Sequence, residues 1–245
     1  MKSTFKLMSY NIQFGTDCNG NPNLPTTIKT IADADPDIVA LQEVDRHWAK
    51  RSGFADQLQA LADALGMQAV YGANLDLEPP EPGAPRRQYG TAVLSKYPIG
   101  AGRNYPLCSL GYEQRGLLET EIDLGGTRLN MYCIHMGLTS DQRIVQAEEA
   151  RTIIGRRSGP VVLAGDFNSD PGSAELHLLL SGGMSDCFDG ITDNLTFPSN
   201  DPKRRIDYLL YNSRLAQGPA AVIESTASDH RPIVCEFRIR DDRQA

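Results

Sequence analysis

Val161-Val162-Leu163-Ala164-Gly165-Asp166-Phe167-Asn168 carries an apolar run straight into an acid, an aromatic ring and an amide. The first half reads as a strand. Asp166 and Asn168 stand two residues apart, so both side chains point one way while Phe167 points into the core. Asp, Asn and Gly also favour turns, but a turn does not account for their place at the mouth of a strand. The same arrangement recurs along the chain. Ser9-Tyr10-Asn11 follows the apolar run 5–8, Gln42-Glu43 interrupts 38–44, and Ser228-Asp229-His230-Arg231-Pro232 precedes 233–237. Acid, amide and imidazole at successive strand ends describe a catalytic rim rather than a core.

Outward from these runs, strands are expected at 5–12, 38–44, 69–73, 90–95, 160–165, 206–211, 221–224 and 233–239. A hairpin joins 117–124 to 128–135 through Gly125-Gly126. Pro25 suits the first turn of a helix to about residue 33. Phe54, Leu58, Leu61, Ala62 and Leu65 recur at helical spacing ahead of Gly66, with Ser52 as the candidate cap. Thr139 to Gln142 resembles a capping box opening a helix over 140–156, and Pro171 is expected to start another carrying Leu176, Leu179 and Leu180. The proline-rich stretch 77–88 reads as a surface loop. Strands outnumber helices, and the helices fall between groups of strands, which suits two packed sheets with helices outside.

The chain has 245 residues and no low-complexity linker, so residues 1–245 are expected to form one domain. No apolar run approaches the length of a membrane span, and the first strand begins too early for a signal peptide. Five cysteines in no C-x-x-C spacing suit a reduced, cytoplasmic protein. A net charge of −7 argues against a broad basic face for long nucleic acid. Positive charge is local: Arg86-Arg87, Arg156-Arg157 and Lys203-Arg204-Arg205.

The rim offers mainly oxygen: Glu43, Asp166 and Asp229, with the amides of Asn11 and Asn168. Hard donors without a cysteine or histidine cluster favour Mg²⁺ or Mn²⁺ over zinc. His135 and His230 suit charge developing on a phosphoryl oxygen, and Asp207 interrupts another strand. Metal, carboxylate base and imidazolium are the parts of phosphoester hydrolysis. A Ser-His-Asp reading lacks a nucleophile-elbow motif. Arg115 either clamps a phosphate or is an exposed hairpin arginine. Arg205, with Lys203 and Arg204, either forms a substrate-binding fringe or is solvated surface charge.

Seven motifs then fall in order along nearly the whole chain: S-Y-N-I, L-Q-E-V, Y-G-T-A-V-L-S, I-H-M-G-L, G-D-F-N, R-I-D-Y and S-D-H-R-P. Their succession resembles the endonuclease/exonuclease/phosphatase superfamily. The resemblance implies an α/β fold, a four-layer α/β/β/α sandwich of two packed mixed sheets with outer helices. It implies Glu43 as principal metal ligand, helped by Asn11, with Asp229 as a further metal-site acid. It also implies Asp166 as the residue that orients or deprotonates water, beside Asn168. His230 becomes the phosphate-binding imidazole, Asp207 its orienting acid, and His135 a further strand-end imidazole. Gln13 stands where exonuclease-III-like repair enzymes carry an Asp, which moves the chain away from that branch.

The expectation is therefore a Mg²⁺- or Mn²⁺-dependent phosphodiesterase of the nuclease type, monomeric, cytoplasmic and without stable membrane insertion. Its alternative is a phosphatase or phosphodiesterase acting on lipid head groups or small phosphorylated metabolites. A binding protein that has lost the chemistry predicts damaged ligand positions, and none is visible beyond Gln13. Asp166 and His230 are expected at strand ends that solvent reaches.

Overall fold

A computed structural model describes residues 4–240. Its strands are β1 (Thr4–Asn11), β2 (Ile38–Arg46), β3 (Gln68–Leu77), β4 (Arg87–Ser95), β5 (Arg103–Pro106) and β6 (Gly116–Asp123). After them come β7 (Arg128–His135), β8 (Val161–Asp166), β9 (Met184–Asp186), β10 (Asp207–Asn212), β11 (Leu215–Val222) and β12 (Ile233–Ile239). The α-helices are α1 (Leu24–Ala34), α2 (Gln57–Leu65), α3 (Ser140–Ile154) and α4 (Ala174–Ser181). One sheet runs β11-β12-β1-β2-β4-β3 and the other β5-β6-β7-β8-β10-β9. Both are mixed: β1 pairs parallel with β2, β7 parallel with β8, and the remaining neighbours are antiparallel.

Alternating side chains build the four layers. Phe5 and Leu7 of β1 face the second sheet, where they share a core with Met131, Cys133, Val162 and Leu209. Met8 and Tyr10 point the other way, against Ile31 of α1 and Leu58 and Leu61 of α2. Tyr132, Ile134 and Leu163 likewise meet Ala147, Ala150, Leu176 and Leu179 of α3 and α4. Central strands covered on both faces need apolar residues at nearly every position, which is why they read as unbroken runs. Burying a side chain such as Leu7 completely is worth about 1.5–3 kcal/mol.

Some local expectations shift. The loop after β3 is shorter than 77–88, because Leu77 closes β3 and Arg87 opens β4. Ser52 does not cap α2; its hydroxyl bonds the Ala49 carbonyl inside a short 3-10 turn, and Asp56 caps the helix through the Gln59 N–H. Ser173, not Pro171, opens α4 by accepting from the Leu176 N–H. The strand placed at 221–224 lies earlier, at β11, with an irregular register where Gly218-Pro219 interrupts pairing.

Register positions the rim. His135 sits opposite Asp166 across β7 and β8, and Asp166 opposite Asp207 across β8 and β10. Three ionisable side chains thus stand side by side at the ends of three neighbouring inner strands. In the other sheet Asn11 lies opposite Gln42, and pairing of β2 with β4 is interrupted between Leu41 and Val44. Glu43 falls in this bulge at φ 59°, a left-handed conformation that turns its side chain out of the ladder.

Candidate active site

The ends of the two sheets meet at the Asp166 carboxylate. Its Oδ2 accepts from Asn11 Nδ2 at 3.0 Å and lies 3.4 Å from His135 Nε2 and 3.7 Å from His230 Nε2. Its Oδ1 accepts the Asn168 backbone N–H at 2.8 Å, in a tight turn with Asn168 at φ 52°. The Asn168 side chain then donates to the Met136 carbonyl at 3.0 Å. Gly165 allows the approach of β7 to β8, since a Cβ there would lie 1.9 Å from the Ile134 carbonyl oxygen.

Asn11 ties the sheets together. Its amide nitrogen donates to both Asp166 and Glu43 Oε1, the latter at 3.1 Å, while its oxygen accepts the Gln13 N–H. Only the nitrogen can face two carboxylates, so the amide acts here as a donor. Gln13 accepts the Asp229 N–H at 3.2 Å, and Ser228 Oγ donates to the Asn11 carbonyl at 2.7 Å. The S-D-H segment is thereby fastened to the end of β1.

Protonation follows from the partners. His230 Nδ1 lies 3.0 Å from Asp207 Oδ2, and the Phe197 ring covers the imidazole at 4.9 Å. Burial works against a charged His230, but the anions of Asp207 and Asp166 outweigh it and lift its pKa to about 10. His135 is the opposite case. Burial, then the charges of Arg115 and His230, hold its pKa well below the ordinary value, so it is neutral. Arg115 NH1 sits 3.0 Å from His135 Nδ1 and has only protons to offer, which places the imidazole proton on Nε2, toward Asp166. Burial raises the Asp166 carboxyl, with Asp207 pushing the same way against His230 and the Asn168 N–H. Glu43 is raised by burial and by Asp229, with Asn11, His230 and Arg115 opposing.

Asn11, Glu43, His135, Asp166, Asn168, Asp207, Asp229 and His230 therefore gather at one place. Arg115 joins them: it is buried, contacts His135 and the Glu113 carboxylate, and keeps an Nε without a partner. Arg205 does not. It is buried against Asp186 at 2.7 Å and over the Tyr208 ring, neither fringe nor solvated surface charge. Asp166 and His230 are themselves buried rather than washed by solvent, because the turn at Asn168 and the Phe197 segment cover the strand ends. Tyr89, beside Glu43 and Arg115, was not singled out by the sequence; its only signal is its place heading the Y-G-T-A-V-L-S run.

Four carboxylates (Glu43, Asp166, Asp207 and Asp229) face one guanidinium and one imidazolium. Arg115 is itself paired with Glu113, and the surplus of carboxyl groups in a partly buried site fits a divalent cation held by oxygen. Among the described residues, Asp166, Asp207 and His230 also bring ligand atoms within 4.8 Å of one another. The His230 proton, held between two acids, opposes metal binding there.

The chain matches the endonuclease/exonuclease/phosphatase family over residues 8–230. It is 30% identical to the uncharacterized protein YbhP of Escherichia coli, covering 96% of this chain and 97% of that one. Among solved structures, an endonuclease/exonuclease/phosphatase from Beutenbergia cavernae superposes with a TM-score of 0.80 at 23% identity, over 97% of this chain and 72% of that one. The mannosyl-6-phosphatase of Bacteroides thetaiotaomicron gives 0.75 at 19% identity, over 95% and 99%. This chain belongs to the endonuclease/exonuclease/phosphatase family, a superfamily of metal-dependent phosphoester hydrolases.

Proposed function

We propose that the protein is a Mg²⁺- or Mn²⁺-dependent phosphodiesterase of the nuclease type that drives water onto phosphorus. The observation that carries this reading is the Asp166 carboxylate, fixed by Asn11 and Asn168 between two histidines of opposite protonation. In this reading Asp166, which burial makes a stronger base than a free carboxylate, takes the proton of the attacking water as its oxygen bonds to phosphorus. The ester P–O bond opposite breaks, and the leaving oxygen departs as the alcohol with a proton from solvent. His230, kept cationic by Asp207, and His135, donating through Nε2, hold the phosphoryl oxygens as charge builds on them. Arg115 adds a fixed positive charge behind His135. Glu43, Asp229 and Asn11 would hold the cation, Asn11 once its amide turns, and the cation would supply Lewis acidity and a more acidic bound water.

A second reading, a phosphatase or phosphodiesterase of small metabolites or lipid head groups, has one structural argument. The basic residues Arg86, Lys203 and Arg204 are paired with Asp76 and Glu78, Asp201, and Asp170, so they offer little track for a long polyanion. The mannosyl-6-phosphatase above carries a small-substrate name on the same fold. Among the described residues no helix is long and apolar enough to cross a membrane. The five cysteines are free, which supports the cytoplasm as the compartment, with the chain acting there as one monomeric domain.

The test is hydrolysis of bis-p-nitrophenyl phosphate, single-stranded oligonucleotides, sphingomyelin and sugar phosphates with Mg²⁺ or Mn²⁺ and with chelator. Metal-dependent cleavage of bis-p-nitrophenyl phosphate and of the oligonucleotides is expected. Turnover of sphingomyelin or sugar phosphates without the oligonucleotides selects the second reading, and turnover of none overturns both.

A further inference from the structure

Beyond Glu43 the site continues as a row of alternating rings and guanidinium groups. The Arg51 guanidinium carbon lies 3.8 Å from the centroid of the Phe14 ring and 5.2 Å from that of Tyr89. Tyr89 packs on Trp48 at 5.9 Å between centroids, and Arg87 covers the other ring of the pair at 5.5 Å. Arg87 is anchored through Nε to the Trp48 carbonyl at 2.7 Å. Tyr89 is buried, whereas Trp48 and Phe14 are only partly buried, so a ligand meets the row along those two rings.

Arg51 is held in one orientation. Asp45, a fully buried carboxylate directly opposite Tyr89 in the β2–β4 pairing, takes Nε at 3.0 Å and NH2 at 2.8 Å. NH1 makes no hydrogen bond among the described residues. The Arg51 charge reaches Glu43, and Tyr89 feels both Arg51 and Arg115. His135 feels Arg115 and His230. Two fixed guanidinium groups therefore flank Tyr89, Arg115 at the reacting cluster and Arg51 outside it. A pair that served only to tie the turn Lys50–Ser52 to β2 would need neither a stacked face nor an open nitrogen.

We propose that this row is a subsite for a nucleotide unit adjoining the scissile phosphate. Arg51 NH1 takes a second phosphate, and the exposed part of Trp48, backed by Tyr89, receives the base. This rests on the phosphoesterase reading above and names its substrate class. A fork already fixed by a carboxylate loses little freedom when it meets phosphate. Aromatic side chains interleaved with arginine accept bases of any identity. One short row suits one or two nucleotides rather than a duplex, in keeping with the net charge of −7.

Trp48 is the chain's single tryptophan, so its fluorescence reports on the subsite directly. The probe is thymidine 3′,5′-bisphosphate in Mg²⁺, which has a ring, two phosphates and no diester. Inorganic phosphate serves as the comparison. The bisphosphate should change Trp48 emission saturably and bind at least about tenfold more tightly than phosphate. Arg51→Met should weaken it by about tenfold or more. Because that change strands the Asp45 carboxylate, the Asp45→Asn/Arg51→Met pair repeats the measurement without a lone buried acid. Trp48→Leu, followed by calorimetry, should lose about fivefold or more. Arg86→Met, outside the row, should bind as the unaltered protein does. Binding no tighter than phosphate, or undiminished in folded Arg51 and Trp48 variants, overturns the subsite. Failure to hydrolyse any diester would overturn the catalytic reading instead, and the binding result would still judge the subsite.

Discussion

Replacing Asp207 with Asn should bring His230 back to an ordinary histidine. At an effective dielectric of about 20, a unit charge 3.0 Å away is worth about 5 kcal/mol. Asp166, at 3.7 Å, contributes a slightly smaller attraction, about 4 kcal/mol. The net elevation from 6.5 to about 10 corresponds to about 5 kcal/mol, so burial takes back roughly half of the combined attraction. Without Asp207, the pull of Asp166 and the cost of burial nearly cancel, and the midpoint should fall to near 6.5. A nitrogen-detected NMR titration of metal-free protein reads it directly. The linkage has a definite sign. A raised imidazole pKa contributes stability that is complete below about 6.5 and is lost as pH rises through about 10. Asp207→Asn should therefore lose stability most below pH 6.5 and least above pH 10. A His230 midpoint that stays above about 9 in the variant would refute the pairing and leave Asp207 with some other role.

Other outcomes are open to measurement. Glu43→Gln should weaken Mg²⁺ binding in calorimetry and reduce turnover sharply; unchanged metal affinity would remove Glu43 from the metal site. Asp166→Asn should lose some stability, since both carboxylate oxygens face donors and the His230 charge, and lose roughly a hundredfold or more in rate. His230→Ala should lose rate similarly but also cost about 3–5 kcal/mol in denaturant unfolding, because Asp207 is left buried without its cation. Gly165→Ala should lose more than about 3 kcal/mol of stability, as its Cβ meets the Ile134 carbonyl at 1.9 Å and a paired strand has no room to give.

Legibility in the sequence followed the physics of each feature. Val161 to Ala164 and residues 38–41 are covered on both faces, so their burial shows as unbroken apolar runs, and the acids at their ends stand out. The short edge strands β5 and β9 carry no such pattern; their partners β6 and β10 decide them. The burial of Asp166 and His230 depends on segments distant in sequence, Phe197 above all. Arg205 and Arg115 look alike as strand-end arginines. Only the structure separates them, one against Asp186 and the other against His135. The Asn11 amide gave no sign that it would bridge two sheets, because its partners lie 32 and 155 residues away.

That bridge has a consequence for how the protein folds. On the assignment proposed above, a chain that has assembled only its N-terminal strands owns Glu43 and Asn11 without the base, Asp166. One that has assembled only β6 to β10 owns His135, Asp166 and Asp207 without the proposed cation ligands. β1 must also wait for β12, whose arrival beside it brings Asp229 and His230 from the far end of the chain. Contacts of such sequence separation form late and slowly. Activity should appear during refolding in the final phase, together with the docking of one sheet on the other, and no half-folded form should turn over substrate.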